Sequence, residues 1–245
     1  MVSLAAEVGH VNGAYSFLLT LGFAGSLLWL AWGRQDRETL RHVDAALVAL
    51  AGGLVGARLG FVLTHLGAYV ARPLEALWFW QGGLSWAAGA LGAVLAVVAF
   101  AVIHRFSFWP VADALAVPAA LMALVSWTGC LLDGCAYGRR TDAGPFTTPT
   151  PDLFGWTTAR WPTQAVGIAA STATLIFALW LQNQRLPSGV AAGLVLACLA
   201  AGALALAFTR ADPVPMLWGL RADAVGSAVV LALSLGMIGA RALKR

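Results

Sequence analysis

The sequence predicts an all-α integral membrane protein of about seven transmembrane helices. Three observations carry that expectation. Of 245 residues, 60% are hydrophobic and only 11% are charged, against the roughly 25% that solvates an ordinary soluble domain. The apolar residues fall into seven runs of spanning length, separated by short polar breaks. No segment between them is polar and long enough to make a separate soluble domain, so residues 1–245 read as one transmembrane domain.

In order, the runs are Ala14–Trp32, Val43–His65, Leu84–His104, Val111–Leu132, Gln164–Trp180, Ser188–Phe208 and Ala222–Ala240. Each suits a helix crossing a hydrocarbon core of about 30 Å. An open strand would leave backbone groups unpaired in lipid, at a cost of several kcal/mol for each. The first run lacks a basic leader and a small-residue cleavage site and reads as a retained helix. Glycines 52, 56 and 60 place a small-residue stripe on the second helix, where another helix can approach closely.

Basic residues outside the runs set the expected orientation. Arg34, Arg37, Arg41, Arg105, Arg185, Arg241, Lys244 and Arg245 fall on one side, and Arg72, Arg139, Arg140, Arg160, Arg210 and Arg221 on the other. The first side has the shorter loops and the larger count, which places the N-terminus outside and the C-terminus in the cytoplasm. Nine of the tryptophans lie near helix ends, as an aromatic belt requires: Trp29, Trp32, Trp78, Trp80, Trp109, Trp156, Trp161, Trp180 and Trp218. The net charge of +4 needs no nucleic-acid partner, because basic ends of membrane proteins meet anionic headgroups.

Two longer segments on the outer side, about residues 66–83 and 133–163, are expected to form a small extracytoplasmic cap. The second contains Pro145, Pro149, Pro151 and Pro162 and cannot be one helix. Chemistry is expected there. Arg58 sits inside the second helix, where a guanidinium must find a carboxylate, a phosphate or a water-filled cavity; Asp113 and Asp133 are the expected partners. Asp113 itself, following a Trp-Pro break, reads as structural. Cys130 and Cys135 are spaced C-x4-C without histidines, a poor zinc pattern. They read first as small buried hydrophobes, then as a disulfide if the helix ends between them, and last as a nucleophile. His10, His42, His65 and His104 stand at span edges. No metal or cofactor is expected.

The order of motifs resembles the prolipoprotein diacylglyceryl transferases of bacterial plasma membranes. The resemblance rests on Ala14-Tyr15, on Gly56-Ala57-Arg58-Leu59-Gly60-Phe61-Val62-Leu63, and on Gly82-Gly83-Leu84-Ser85. It continues through Asp113 with Val117-Pro118, the stretch Gly129–Thr141, Pro162-Thr163-Gln164, and Phe208-Thr209-Arg210-Ala211-Asp212. Gly129–Thr141 is similar to the family signature in its cysteine-containing variety. The resemblance implies seven helices with an outside N-terminus in the plasma membrane. It also implies transfer of a diacylglyceryl group from phosphatidylglycerol to the thiol of a prolipoprotein lipobox cysteine. Such chemistry needs a proton acceptor for the thiol, cationic donors around the departing glycerol phosphate, and an apolar cavity for the acyl tails. By resemblance, Tyr15, Arg58, Asp133, Gly134, Gly138, Arg139, Arg140 and Gln164 would bind the lipid and its phosphate.

Several positions depart from the family. Ala87 stands where a histidine is expected, Trp127 and Ala203 where arginines are, Trp161 for a further histidine, and Ala207 for a glutamate. Tryptophan cannot replace a bidentate guanidinium, and alanine accepts no proton. The alternative expectation is therefore a catalytically degenerate paralogue that holds phospholipid or serves as a membrane-complex subunit. A transporter would need polar groups lining a path at the midplane, and the helices offer little beyond Arg58 and Asp113.

Overall fold

The computed structural model describes residues 13–32, 37–79, 82–141, 147–152 and 155–243. His10, Arg34, Trp80, Pro145, Lys244 and Arg245, named above, lie outside them. Among the described residues seven helical spans are long and apolar enough to cross a membrane: Ala14–Ala31, Glu38–Thr64, Trp86–Ile103, Phe108–Asp133, Thr163–Leu181, Val190–Ala207 and Ala222–Ala242. The chain is an all-α multi-pass membrane protein. We number the helices α1 (Ala14–Ala31), α2 (Arg37–Thr64), α3 (Leu66–Tyr69), α4 (Trp86–Ile103), α5 (Phe108–Ala114), α6 (Ala116–Asp133), α7 (Thr163–Leu181), α8 (Val190–Ala207) and α9 (Ala222–Ala242).

Two boundaries differ from expectation. α2 begins six residues before Val43, because Arg37–His42 continues the helix past its apolar part, where hydropathy gives no signal. The fourth span is broken at Leu115 into α5 and α6. Pro118 explains the break: it lacks the N–H that would bond the carbonyl of Ala114, and its ring crowds that carbonyl.

Close backbone approach holds the bundle together, since lipid supplies no hydrophobic drive between helices. The glycine stripe of α2 packs on α4. A Cβ built on Gly56 would lie 2.6 Å from the Ala88 carbonyl oxygen and 2.9 Å from the Gly92 Cα, and one on Gly52 would lie 2.3 Å from the Ala96 Cβ. Ser85 donates its backbone N–H to the Ala57 carbonyl at 2.9 Å, tying the start of α4 to α2. On the other side of the bundle, Gly22 and Gly129 fit α1 against α6, Gly167 receives the Trp127 ring, and Gly193 receives Ile238 and Met237 of α9. Asp113 caps the start of α8, accepting N–H groups from Gly189 at 2.7 Å and Ala192 at 2.8 Å. That confirms a structural use of this carboxylate.

The connections gather most of their structure at one end of the bundle, where α1, α4, α7 and α9 begin and α2, α6 and α8 finish. After α2 come α3 and a 3-10 turn, Pro73–Leu77. After α6 comes an antiparallel hairpin of β1 (Thr148–Pro151) and β2 (Thr157–Arg160), with Thr148 opposite Arg160. Between α8 and α9 lies a two-residue ladder of β3 (Met216–Leu217) and β4 (Leu220–Arg221). Isolated bridges join Gly138 to Arg210 and Arg140 to Arg160, so the second and third connections share a backbone seam. Trp29, Trp32, Trp156, Trp161, Trp180 and Trp218 are exposed at helix ends or in these connections, as the aromatic belt predicts.

Gly56 gives the sharpest test of this packing. Gly56→Val places methyl groups into backbone that cannot move independently, and overpacking of this kind costs about 1–3 kcal/mol. A lowered midpoint of thermal unfolding in detergent is the expected outcome, with a smaller loss for the same change at Gly236, where an added Cβ meets nothing.

Candidate functional site

The glycine- and cysteine-bearing stretch Gly129–Thr141 forms a tight turn at the loop-rich end. α6 ends at Asp133 because Gly134 takes a left-handed conformation (φ 71°), which reverses the chain and ends the helix between the two cysteines. Cys130 and Cys135 are joined in a disulfide with their Cα atoms 4.6 Å apart. The first reading of these cysteines, as small buried hydrophobes, is therefore corrected: a left-handed glycine lets two residues of different helical faces meet. Cys198 stays a free thiol.

Gln164, fully buried at the start of α7, locks this turn. Its side-chain N–H groups donate to the carbonyls of Cys130 at 3.2 Å and Cys135 at 2.7 Å. Gly138 lets the chain pass under Trp161, since a Cβ there would stand 2.1 Å from the Trp161 carbonyl oxygen. Arg139 bonds through its backbone to Thr209 (2.9 Å) and Trp161 (3.0 Å), so its position is fixed on both sides. The Arg139 and Arg140 side chains are exposed, and among the described residues neither has a carboxylate partner.

Tyr15 and Asp133 meet on the α1 side. The Tyr15 backbone N–H donates to Asp133 Oδ2 at 3.1 Å, and its hydroxyl lies 3.1 Å from Ser126 Oγ. The structure thus brings Tyr15, Asp133, Gly134, Gly138, Arg139, Arg140 and Gln164 together around one turn. Arg58 is held elsewhere. Among the described residues its guanidinium donates to backbone carbonyls: Ala76 (2.8 Å), Gly82 (2.7 Å), Gly83 (3.2 Å) and Glu75 (2.6 Å). The expected pairing with Asp113 or Asp133 is corrected. Asp113 lies at the opposite end of the bundle and Asp133 faces α1, whereas the 3-10 turn and the Gly82-Gly83 bend turn four carbonyls toward the buried arginine. The Tyr69 ring, 5.5 Å away, adds a polarisable face.

Two ion-pair groups lacked a reading in the sequence. Arg160 pairs with Asp152 at 2.9 Å, both buried, and its guanidinium lies 4.6 Å from the centre of the Tyr137 ring. Arg210, Asp212, Arg221 and Asp223 form a closed network of two cations and two anions. A signal for the second exists in the chain: Arg210-Ala211-Asp212 recurs as Arg221-Ala222-Asp223. Burial works against the Arg210 charge, and Asp212 and Asp223 outweigh it, holding the guanidinium above its ordinary value. For Tyr137, burial and then the nearby Asp152 and Asp212 carboxylates push the phenol above its ordinary 10.0.

Of the positions where polar residues are expected from the resemblance, Ala87, Trp127 and Ala207 are packed, Ala203 is half-buried and Trp161 is exposed. Ala87 is buried against Gly226, whose added Cβ would be 2.7 Å away, and Ala207 is buried too. The Trp127 ring fills the space over Gly167. Beneath the turn, toward the far end of the bundle, a cavity of about 360 Å³ is lined by α1, α2, α4, α5, α6, α8 and α9. Among the described residues its polar side chains are Ser26 and Ser234, whose hydroxyls donate to the carbonyls of Gly22 (2.8 Å) and Val230 (2.7 Å) in their own helices.

Two consequences can be measured. The neutral Tyr137 phenol is favoured in the fold, so its contribution to stability is complete below the unfolded value near 10 and fades as pH rises through the higher folded value. Tyr137→Phe should flatten the loss of thermal stability above pH 10. Reducing the Cys130–Cys135 bridge, or replacing both residues with serine, should cost about 2 kcal/mol for so short a loop, read as a fall in unfolding midpoint.

Comparison with known proteins assigns the family. The family model for prolipoprotein diacylglyceryl transferase matches residues 5–240. The phosphatidylglycerol–prolipoprotein diacylglyceryl transferase of Solidesulfovibrio magneticus is 30% identical over 75% of this chain and 71% of its own. That of Cupriavidus necator is 32% identical over 76% and 72%. That of Thermus thermophilus is 37% identical over 58% and 50%. With a match running from the approach to α1 nearly to the end of α9, this multi-pass protein of the bacterial plasma membrane belongs to the prolipoprotein diacylglyceryl transferase family.

Proposed function

We propose that the chain transfers a diacylglyceryl group from phosphatidylglycerol to the cysteine thiol of a prolipoprotein. The reaction takes place at the loop-rich end, which faces outward as an extracytoplasmic cap, with the N-terminus outside and the C-terminus in the cytoplasm. The observation that carries this reading is the Arg139–Arg140 pair, set on a turn that a disulfide and Gln164 hold rigid. An exposed cationic pair without a carboxylate partner among the described residues suits the phosphate of a departing glycerol phosphate. Tyr15, Gly134, Gly138 and Gln164 shape the turn around that phosphate, and Arg58 serves by fixing the 66–83 connection. The apolar cavity below supports the same substrate. With both serine hydroxyls bonded within their helices, it offers acyl tails a lining without polar demands.

Expression of this gene in a strain lacking its own transferase tests the reading: restored lipidation of prolipoproteins supports it. Purified protein with labelled phosphatidylglycerol should transfer label to a lipobox peptide. Arg139→Gln with Arg140→Gln should lower kcat/KM about 10²–10³-fold, the scale for losing donors to developing charge. Ala119→Phe, which fills part of the cavity, should slow transfer from long-chain phosphatidylglycerol more than from a short-chain analogue. A well-expressed protein that fails both assays would instead be a paralogue that holds phospholipid or serves a membrane complex. The packed Ala87 and Trp127 favour that second reading.

A further inference from the structure

An attacking thiol must lose its proton to an acceptor, and Ala87, buried against Gly226 of α9, offers none. Resting on the transferase reading above, we propose that Asp133 Oδ1 is the general base that removes that proton.

Three observations meet at this atom. Among the described residues at the loop-rich end, every other carboxylate faces an arginine: Glu75 faces Arg72, Asp152 faces Arg160, and Asp212 and Asp223 share Arg210 and Arg221. Asp133 alone among them has no basic partner. Its Oδ2 is fixed by the Tyr15 N–H at 3.1 Å, while Oδ1 is buried and accepts no hydrogen bond from the described residues. A carboxylate oxygen without a donor has free acceptor capacity, and an arriving S–H supplies a donor for it. Finally, Asp133 lies within the loop closed by the Cys130–Cys135 disulfide, and Arg139 and Arg140, a few residues on, are held by backbone contacts to Thr209, Trp161 and Arg160, so proton acceptor and phosphate donors share one braced segment. A carboxylate is a poor contact for phosphate and a suitable one for a proton.

The step balances without a co-reactant. Asp133 Oδ1 takes the thiol proton, and the sulfur lone pair attacks the glyceryl carbon that bears the phosphate ester. The C–O bond breaks with its electron pair passing to the phosphate oxygen. The products are a thioether-linked diacylglyceryl peptide, glycerol phosphate, and a neutral Asp133 that returns its proton to solvent or to the leaving phosphate.

The test compares two lipobox peptides, one with cysteine and one with selenocysteine, on full-length protein in phosphatidylglycerol vesicles. A selenol is already ionised near neutral pH and needs no base. Asp133→Asn keeps the shape and the acceptor for the Tyr15 N–H. It should slow cysteine transfer about 10²-fold or more, and selenocysteine transfer less than tenfold. The ratio of the two rates is taken within each preparation, so a partly misfolded fraction cancels. Equal losses on both peptides, or no loss on cysteine, would overturn the assignment. So would a split that appears instead in His65→Gln, the variant of the histidine described at this end of the bundle. If the unsubstituted protein modifies neither peptide, the transferase reading falls and the base falls with it; if it modifies both while Asp133→Asn shows no split, only the base is lost.

Discussion

The side-chain amide of Gln164 donates to the carbonyls of both Cys130 and Cys135, and the loop-rich end of the bundle is organised around those two bonds. The carbonyls at the end of α6 have no helical partners, and in a protein surrounded by lipid such orphans are expensive. Gln164 satisfies them from the first turn of α7. In doing so it fixes how α6 and α7 meet and where the intervening turn lies. The disulfide closes the same turn covalently. With the turn set, Gly138 can slide beneath Trp161, Arg139 can bond across to Thr209, and the Gly138–Arg210 seam can join the α6–α7 connection to the α8–α9 connection.

Charge at this end follows from that arrangement. Arg160 and Asp152 cancel, and so do the two arginines and two aspartates of the repeated Arg-Ala-Asp motif. Breaking the Arg160–Asp152 pair would leave a buried charge uncompensated, typically at about 3–5 kcal/mol, whereas the half-buried network is partly screened by solvent and each of its pairs is worth less. The pairs therefore act as struts for the hairpin and for the α8–α9 link. Arg58 obeys a different rule. Four carbonyls and an aromatic face satisfy its donors without neutralising its charge, and the 66–83 connection is held in place as a result.

The seven spans were legible because apolar length is a one-dimensional property, and the break at Leu115 was present as Pro118. The start of α2 was not, since Arg37–His42 is helical by continuation rather than by hydropathy. The glycine stripe of α2 was legible, although its partner α4 was not. The signature turn, Tyr15 and Gln164 were found by resemblance. The cysteine pairing depended on one backbone angle at Gly134, which spacing does not encode. The partners of Arg58 were illegible for a related reason: backbone carbonyls exist at every position, so an arginine that uses them leaves no mark in the sequence. Asp152 and Arg160 lie only eight residues apart, yet the hairpin that joins them has none of the usual two-residue turn chemistry.

Two interior helix positions pack as matched pairs. Trp127 needs Gly167, because any Cβ there would strike its ring, and Ala87 needs Gly226 for the same closeness between α4 and α9. Restoring a histidine at Ala87 alone would push a ring into backbone, and restoring an arginine at Trp127 would leave the space over Gly167 unfilled beside a new charge. Among the described residues of the loop-rich end, the charges without an ion pair are Arg58, held by carbonyls, and three in and after the last turn of α6: Arg139 and Arg140, which are exposed, and Asp133, which faces α1. Two exposed cations and one anion on a single braced turn concentrate chemical capacity there, above a cavity with an almost wholly apolar lining, which is why the turn is where activity should be sought.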